Sequence, residues 1–229
     1  MKIIDMHTHL LPCIDDGAAN EAETYKMLKM MKEYGVTDVC LTPHFYAHRI
    51  SMEGFLRQRR TSFALVKEYF KQFGIVPHIG AEVMFSRGLF VYEDISPLCI
   101  DGGEYVLIEF SENFDDFDEI MENIYKLVAN FSVTPIIAHI DRFPRLLKEE
   151  YLEKLCSEGC TVQMNAEAIL NRRIHKKLKK FIDDGLIHVV GSDCHDPVHR
   201  KPDIDCFRQY AGEDVFAYFM QNAQDVLEA

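Results

Sequence analysis

Short apolar runs rich in β-branched residues alternate along the chain with longer amphipathic stretches. The amphipathic stretches have helical spacing, as in 21–35 and 55–74, and Gly35 and Gly74 stand where helices would end. Continuous apolar strands between helices are typical of parallel strands buried on both faces. The seven units predict an α/β fold, either a closed or nearly closed β/α barrel or an open doubly wound sheet. The predicted strands cover 2–6, 36–42, 75–81, 105–110, 134–140, 161–166 and 187–191.

Composition indicates a single-domain protein of a reducing compartment that does not bind nucleic acid. The 229 residues are 48% hydrophobic, enough for the core of one domain over 1–229. We expect a cytoplasmic protein without membrane insertion, because no run approaches the roughly 20 apolar residues of a membrane span and the N-terminal run is too short for a signal peptide. Seven cysteines without a C-x-x-C pair fit a reducing compartment. A net charge of −12 argues against a nucleic-acid partner.

Histidines and carboxylates follow six of the predicted strands. The carboxyl ends of strands in β/α barrels converge on one face, where active sites are assembled. A single histidine at such a place is more often packed or solvated, but six corresponding positions predict a site. The residues concerned are His7, His9, His44, Glu82, Glu109, His139, Asp193 and His195.

The spacing of these residues predicts a metal site. Side chains at i and i+2 of a strand point the same way, so His7 and His9 converge, as do Asp193 and His195. Imidazoles and carboxylates without thiolates suit Mn, Fe or Zn. One aspartate of "DDG" at 15–17 completes a set of nine ligands, which exceeds the roughly four to six that one ion takes. Two or three ions are therefore expected.

At this point the motifs resemble a known family. The ordered set "IDMHTHLLPCIDDGA", "TPHFY", "GAEV", "LIEF" and "SDCH" is similar to the polymerase-and-histidinol-phosphatase (PHP) superfamily. It resembles most closely the bacterial PHP-type protein tyrosine phosphatases of capsule and exopolysaccharide operons. The resemblance spans nearly the whole chain. It implies a distorted seven-stranded, TIM-like β/α barrel with a trinuclear metal centre. The oxygen-rich ligand set favours Mn²⁺ in that centre, with Fe or Zn as alternatives.

The resemblance also implies roles for individual residues. Asp16 rather than Asp15 would be the ligand, since the family's aspartate adjoins the glycine. Arg142 and Arg200 would be catalytic residues that hold phosphate, and Asp141 replaces the family's usual glutamate, which is not a ligand. The implied metal groups are His7, His9, Glu82 and Asp193; Glu82, Glu109 and His139; and Asp16, His44 and His195.

These features together predict a metal-dependent tyrosine phosphatase. Three divalent ions and two arginines would give a positive site inside an acidic protein, and arginine forks match phosphate oxygens. A metal-bound hydroxide would attack phosphorus in line. The resemblance implies a tyrosine-phosphorylated protein as partner, such as the C-terminal tail of a kinase that regulates capsule or exopolysaccharide synthesis. A homo-oligomer is compatible with the sequence.

Three alternatives remain open from the sequence. A small-molecule phosphatase of histidinol-phosphate type would use the same metals. An amidohydrolase also opens with H-x-H, but usually needs a carbamylated lysine, and no lysine ends a predicted strand. A degenerate PHP domain that only binds a partner would not need the full ligand set.

Several further residues carry two interpretations each. Asp5 either orients a ligand histidine or is a buried residue bonded to backbone. Cys194 and Arg200 match the C-x5-R string of cysteine-dependent phosphatases, but Pro197 removes a donor that the phosphate loop needs, so we expect Cys194 to point away from the site. His48 and His199 could touch substrate, and Phe45, Tyr46, Phe114 and Phe143 could stack on a phosphotyrosine ring or pack in the core. Arg57, Arg59 and Arg60 could meet an acidic peptide or form a plain helix surface. Structural roles are expected for His78 and His188, and a solvated helix face for His175.

Overall fold

A computed structural model describes residues 1–111 and 116–229. Within these ranges strands and helices alternate, as the hydrophobic pattern predicts. The strands are β1 (Ile4–Thr8), β2 (Asp38–Leu41), β3 (His44–Phe45), β4 (Val76–Ile79), β5 (Glu82–Met84), β6 (Tyr105–Glu109), β7 (Thr134–Ile137), β8 (Thr161–Asn165) and β9 (Val189–Gly191). The helices are α1 (Glu21–Glu33), α2 (Met52–Phe73), α3 (Phe117–Phe131), α4 (Glu149–Ser157), α5 (His175–Asp183), α6 (Ile204–Ala211) and α7 (Glu213–Glu228).

The strands pair in parallel and form two sheets. The first sheet has the order β1-β2-β4, and the second has the order β3-β5-β6-β7-β8-β9. The predicted count of seven strands is not confirmed, because nine strands are assigned in the described residues. The extended strand is interrupted between β2 and β3 at Thr42 and Pro43, because proline has no N–H to donate to the ladder. A second interruption separates β4 from β5 at Gly80 and Ala81. Each break moves the chain from the first sheet to the second.

The last strand returns to the first. Thr8 and Cys194 form a parallel bridge, the Asp193 N–H donates to the His7 carbonyl at 2.8 Å, and the His9 N–H donates to the Cys194 carbonyl at 3.0 Å. Gly191 permits this approach, because a Cβ there would lie 2.5 Å from His7 Cβ and 2.9 Å from His7 N. Backbone contact between the two ends of the fold therefore fixes where the first histidines lie.

The helices cover the strands with their apolar faces. In α2, residues at helical spacing are buried, from Phe55 to Phe70, and Gly74 ends the helix in the left-handed conformation. Arg59 lies on this buried face, where its guanidinium donates to the carbonyls of Gly80 and Pro97. The expectation that Arg59 is a surface or substrate residue is therefore wrong. No helix in the described part of the chain is long and apolar enough to cross a bilayer.

Substituting Gly191 should destabilise the fold. Gly191→Ala would press a methyl group against the His7 backbone, and such overpacking costs about 2 kcal/mol in the free energy of unfolding. Gly80→Ala is the matched control, since its methyl would meet the Ile100 side chain at 3.3 Å, which can shift. Urea denaturation of both variants measures the difference. Equal losses of stability would contradict the close contact between β9 and β1.

Candidate metal centre

The nine predicted ligand side chains come from different strand ends and loops but meet in one region. His7 lies in β1 and His9 just beyond it, while Glu82 and Glu109 begin β5 and end β6. His44 begins β3, and the remaining residues lie in the loops after β1, β7 and β9. Most of the nine are buried; Asp16 is the exposed member. His44 and Glu82 follow the carboxyl ends of β2 and β4 by three residues, although each begins a further short strand.

A first cluster surrounds the two histidines of the first strand. His7 Nε2 and His9 Nε2 lie 3.1 Å apart, and each is 3.2 Å from Glu82 Oε2. Each is also 3.5 Å from Asp193 Oδ1. His7, His9 and Glu82 can offer their ligand atoms to one ion. Together with Asp193, these three residues are the first metal group that the resemblance implies.

A second cluster is built on the two glutamates. His139 Nε2 lies 2.8 Å from Glu82 Oε1 and 3.5 Å from Glu109 Oε1. His44 Nδ1 lies 3.0 Å from Glu82 Oε2 and 3.8 Å from Glu109 Oε2. The group that satisfies the distances for one ion contains His44, Glu82 and Glu109, with His139 beside it. His44 thus adds to the implied set of Glu82, Glu109 and His139.

A third cluster lies at the exposed end. Asp16 Oδ1 is 3.4 Å from His44 Nε2 and 3.6 Å from His195 Nε2. His9 joins these three residues within distances that suit one ion. Asp15 instead accepts hydrogen bonds on Oδ2 from His9 Nδ1 at 2.8 Å and from the His44 N–H at 3.0 Å. Asp15 therefore positions two histidines, whereas Asp16 is free to face a ligand.

The donor set fits divalent metal ions. Several buried polar atoms of the described residues that face this region have no hydrogen-bond partner, which is costly unless something else binds them. Carboxylate oxygens and imidazole nitrogens are the donors that Mn, Fe and Zn accept. The atoms are Glu82 Oε2, Glu109 Oε2, Asp193 Oδ1, His44 Nδ1 and His195 Nε2.

Without metal, protonated histidines offset the negative charge of the clustered carboxylates. Burial opposes charge on His9, but hydrogen bonds to Asp15 and Glu82 outweigh it and raise its pKa to about 9. Burial likewise opposes charge on His44 and His139, but their carboxylate partners raise their pKa values to about 11 and about 9. The same contacts outweigh burial at Glu82 and hold its pKa well below its usual range. The buried carboxylates are therefore stable as anions only with positive charge beside them, from protonated histidines or from metal ions.

Asp193 leaves its strand in a strained conformation. The prediction treated Asp193 as a strand residue, but β9 ends at Gly191 and Asp193 has φ 53°, in the left-handed region. His139 is also left-handed, with φ 30°. Asp193 Oδ2 accepts hydrogen bonds from Arg142, from Arg200 at 2.9 Å and from the Asn165 amide at 3.1 Å. These contacts hold the carboxylate so that Oδ1 faces the histidines.

Two polar residues of β8 support the site and were missed from the sequence. Gln163 Oε1 accepts from the His139 N–H at 2.6 Å and lies 3.4 Å from His7 Nδ1. Asn165 contacts Asp193, and its own N–H donates to Asp141 at 2.8 Å. The signal was present, because Gln163 and Asn165 have the same i, i+2 spacing on a strand as His7 and His9.

The aromatic residues that follow the ligand positions differ in burial and in their contacts. Phe45 is fully buried against Phe55, so it is a core residue. Phe143 is buried and stacks on His139, with ring centroids 5.9 Å apart. Tyr46 stacks on His44 at 5.2 Å and remains partly exposed, and His48 lies 5.9 Å from the Tyr46 ring. Phe114 lies outside the described residues.

Asp5, His78 and His188 make structural contacts. Asp5 is bonded to backbone, since its Oδ1 accepts from Ser192 N at 2.8 Å. His78 lies between Asp38 and Asp101, and His188 accepts from the Val162 N–H at 2.9 Å. These contacts agree with the expected structural roles of both histidines.

Cys194 lacks the environment of a nucleophile. Its side chain is fully buried in the hydrophobic core, and its backbone takes part in the β9–β1 closure. Burial and the nearby Asp5 carboxylate raise the pKa of its thiol far above the usual value. The C-x5-R match is therefore not supported as a phosphate-binding loop.

The chain is similar to proteins named as tyrosine-protein phosphatases. Tyrosine-protein phosphatase CpsB of Streptococcus agalactiae serotype V is 26% identical over 257 residues, covering 99% of this chain and 98% of that protein. Tyrosine-protein phosphatase YwqE of Bacillus subtilis strain 168 is 26% identical over 212 residues, covering 87% and 80%. Both are similar over most of their length.

Solved structures share the fold. One from the work on YwqE of Bacillus subtilis and CpsB of Streptococcus pneumoniae, described as metal-dependent tyrosine phosphatases, has a TM-score of 0.78 and 20% identity, covering 99% of this chain and 94% of that chain. A TatD-like protein from Archaeoglobus fulgidus has a TM-score of 0.59 and 13% identity, covering 99% and 100%.

The family described as capsular polysaccharide synthesis, CpsB/CapC, matches residues 3–228. Since this match spans nearly the whole chain, the protein belongs to the CpsB/CapC family.

Proposed function

We propose that this protein is a metal-dependent phosphatase that removes phosphate from phosphotyrosine in a protein of capsular or exopolysaccharide synthesis. The observation that carries the proposal is the convergence of five histidines and four carboxylates at one strand edge. The relatives named as tyrosine-protein phosphatases support it, and they favour it over hydrolysis of histidinol phosphate. The single domain would span 1–229, with its two sheets acting together as one distorted seven-stranded barrel.

We assign metal binding to the nine clustered side chains. Three divalent ions, with Mn²⁺ our first choice, would supply Lewis-acid stabilisation and lower the pKa of the attacking water. Glu82 contacts members of two clusters, which suits a bridging carboxylate. Asp15 and Gln163 would keep the ligand rings oriented, as outer hydrogen-bond partners do in metal sites. The proposed ligands are His7, His9, Asp16, His44, Glu82, Glu109, His139, Asp193 and His195.

Arg142 and Arg200 would bind the substrate phosphate. Both guanidinium groups contact Asp193, and their side chains keep 37% and 35% of their surface exposed. Each fork retains N–H groups for phosphate oxygens, and positive charge there offsets charge developing on the phosphoryl group. Tyrosinate, with a pKa of about 10 for its phenol, leaves without a strong general acid.

The partner we propose is a tyrosine-phosphorylated protein, with the C-terminal tail of a kinase as the first candidate. A cytoplasmic location is supported by the seven cysteines, which are all free thiols.

Metal binding should release protons. His9, His44 and His139 have raised pKa values in the metal-free protein, so they carry protons at neutral pH, whereas a coordinating nitrogen cannot. Affinity for Mn²⁺ should therefore increase as pH rises from about 6 to about 8. Titration calorimetry in buffers of different ionisation enthalpy measures the proton release. An affinity independent of pH would contradict the assignment of these histidines.

Activity on a phosphotyrosine peptide should require metal and His139. His139→Ala removes a proposed ligand beside Glu82, and we expect turnover to fall by at least about 100-fold while circular dichroism is unchanged. His175→Ala, at the first residue of α5 and outside the three clusters, is the matched control and should retain full turnover. Elemental analysis accompanies both assays. Full activity in protein shown to be metal-free would refute the proposed function.

Cys194→Ser should retain most of the turnover. The thiol is buried and protonated, so a metal-dependent mechanism does not use it. A small loss of stability is expected from burying a hydroxyl among apolar groups. Trapping of a phosphocysteine, or loss of turnover in a folded variant that still binds metal, would favour the thiolate mechanism instead.

A further inference from the structure

A cavity of about 450 Å³ opens directly beside the metal centre. It lies between the first loop, the loop after β3 and the first turns of α2. Asp16 and His44 form the wall that it shares with the third metal cluster. A peptide whose phosphotyrosine reaches the metals can therefore place neighbouring residues in this cavity.

The walls of the cavity combine an apolar floor with a polar rim. Ile14, Ile50 and Phe55 supply apolar surface, and Arg49 and Gln58 supply hydrogen-bond donors. Such a mixture is typical of sites that bind one specific group, since apolar surface excludes water while a few polar groups set orientation. The cavity thus has the character of a recognition subsite.

Three side chains form a stack that runs from the third metal cluster to the protein surface, in the order His44, Tyr46 and Arg49. The Tyr46 ring stacks on His44 with centroids 5.2 Å apart, and the Arg49 guanidinium lies over the Tyr46 ring at 4.6 Å from its centroid. A cation over an aromatic face is held in place without using its N–H donors. Tyr46 therefore positions Arg49 while leaving its donor fork available.

Arg49 differs from the other arginines near the site. Arg142 and Arg200 both bind Asp193, and Arg59 donates to backbone carbonyls. Arg49 is exposed and has no carboxylate within 4.0 Å among the residues described here. In a protein with net charge −12, this cation at the mouth of the site favours an anion that the surface elsewhere repels.

We propose that Arg49 selects substrates that carry an anionic side chain within two residues of the phosphotyrosine. This inference rests on the proposed function. A carboxylate and a second phosphate share the chemistry that the guanidinium fork recognises. Consecutive Cα atoms are about 3.8 Å apart, so a residue one or two positions away lies within side-chain reach of the stack. Arg49 is then a specificity-determining residue rather than a catalytic one.

The test compares phosphotyrosine peptides within each enzyme variant. Glutamate, phosphoserine or glutamine is placed in turn at each of the two positions on either side of the phosphotyrosine, and kcat/KM is followed by the absorbance of the released tyrosine. In the Mn²⁺-loaded protein, glutamate or phosphoserine should be favoured over glutamine by about fivefold at one or more positions. The two anionic series distinguish a carboxylate preference from a phosphate preference.

Variants of Arg49 should alter the ratio of kcat/KM between the anionic peptides and the glutamine peptide. Arg49→Gln should reduce it to about one, and Arg49→Glu should favour a lysine-containing peptide instead. Arg60→Gln is the matched control, because Arg60 is an exposed arginine on the opposite side of α2 from Gln58 and should keep the wild-type ratio. Hydrolysis of all peptides with no preference for anions, or an unchanged preference in Arg49→Gln, overturns this inference alone. Absence of hydrolysis from every peptide, with metal bound, overturns the proposed function.

Discussion

The buried carboxylate of Glu82 is the constraint on which the rest of the site depends. An ionised glutamate away from water is stable only with positive charge beside it, and Glu82 is surrounded by His7, His9, His44 and His139. Those histidines come from strands that are distant in sequence. The same attraction that a metal ion would satisfy is met by protons in its absence, which explains why these imidazoles are so basic. Glu82 therefore joins histidines from three separate segments of the chain in one candidate metal site.

Much of this arrangement can be predicted from the sequence, because it follows from the two-residue period of side chains along a strand and from the parallel direction of the strands. Parallel strands bring their carboxyl ends together, so residues that follow apolar runs, such as His44 and His139, could be assigned to one face without coordinates. The i, i+2 spacing of His7 and His9 was read correctly for the same reason. Each of the seven apolar runs overlaps a strand, with ends that differ by a few residues because propensity says little about where a ladder stops, whereas β3 and β5 were not predicted.

What the sequence did not reveal depends on backbone detail and on long-range contacts. The short strands β3 and β5 follow the predicted runs 36–42 and 75–81 and belong to the second sheet, which the hydrophobic pattern does not encode. Arg59 looks like one of several surface arginines, and only the packing of α2 shows that its guanidinium is buried on backbone carbonyls. Asp193 reaches the histidines through a left-handed turn rather than through strand alternation. Residues 112–115, including Phe114, lie outside the described structure.

The overlap of the three clusters has a consequence for how such a site can evolve. His9 and Glu82 each belong to two clusters, and His44 also contributes to two. A substitution at any of these three positions removes a donor from two neighbouring groups at once, so neither group can be lost through them while the other stays intact. Gradual loss has to begin at residues that serve a single cluster, such as Asp16 at the exposed end. The shared ligands thus make the centre resistant to stepwise simplification, and its outer edge is where divergence between relatives would start.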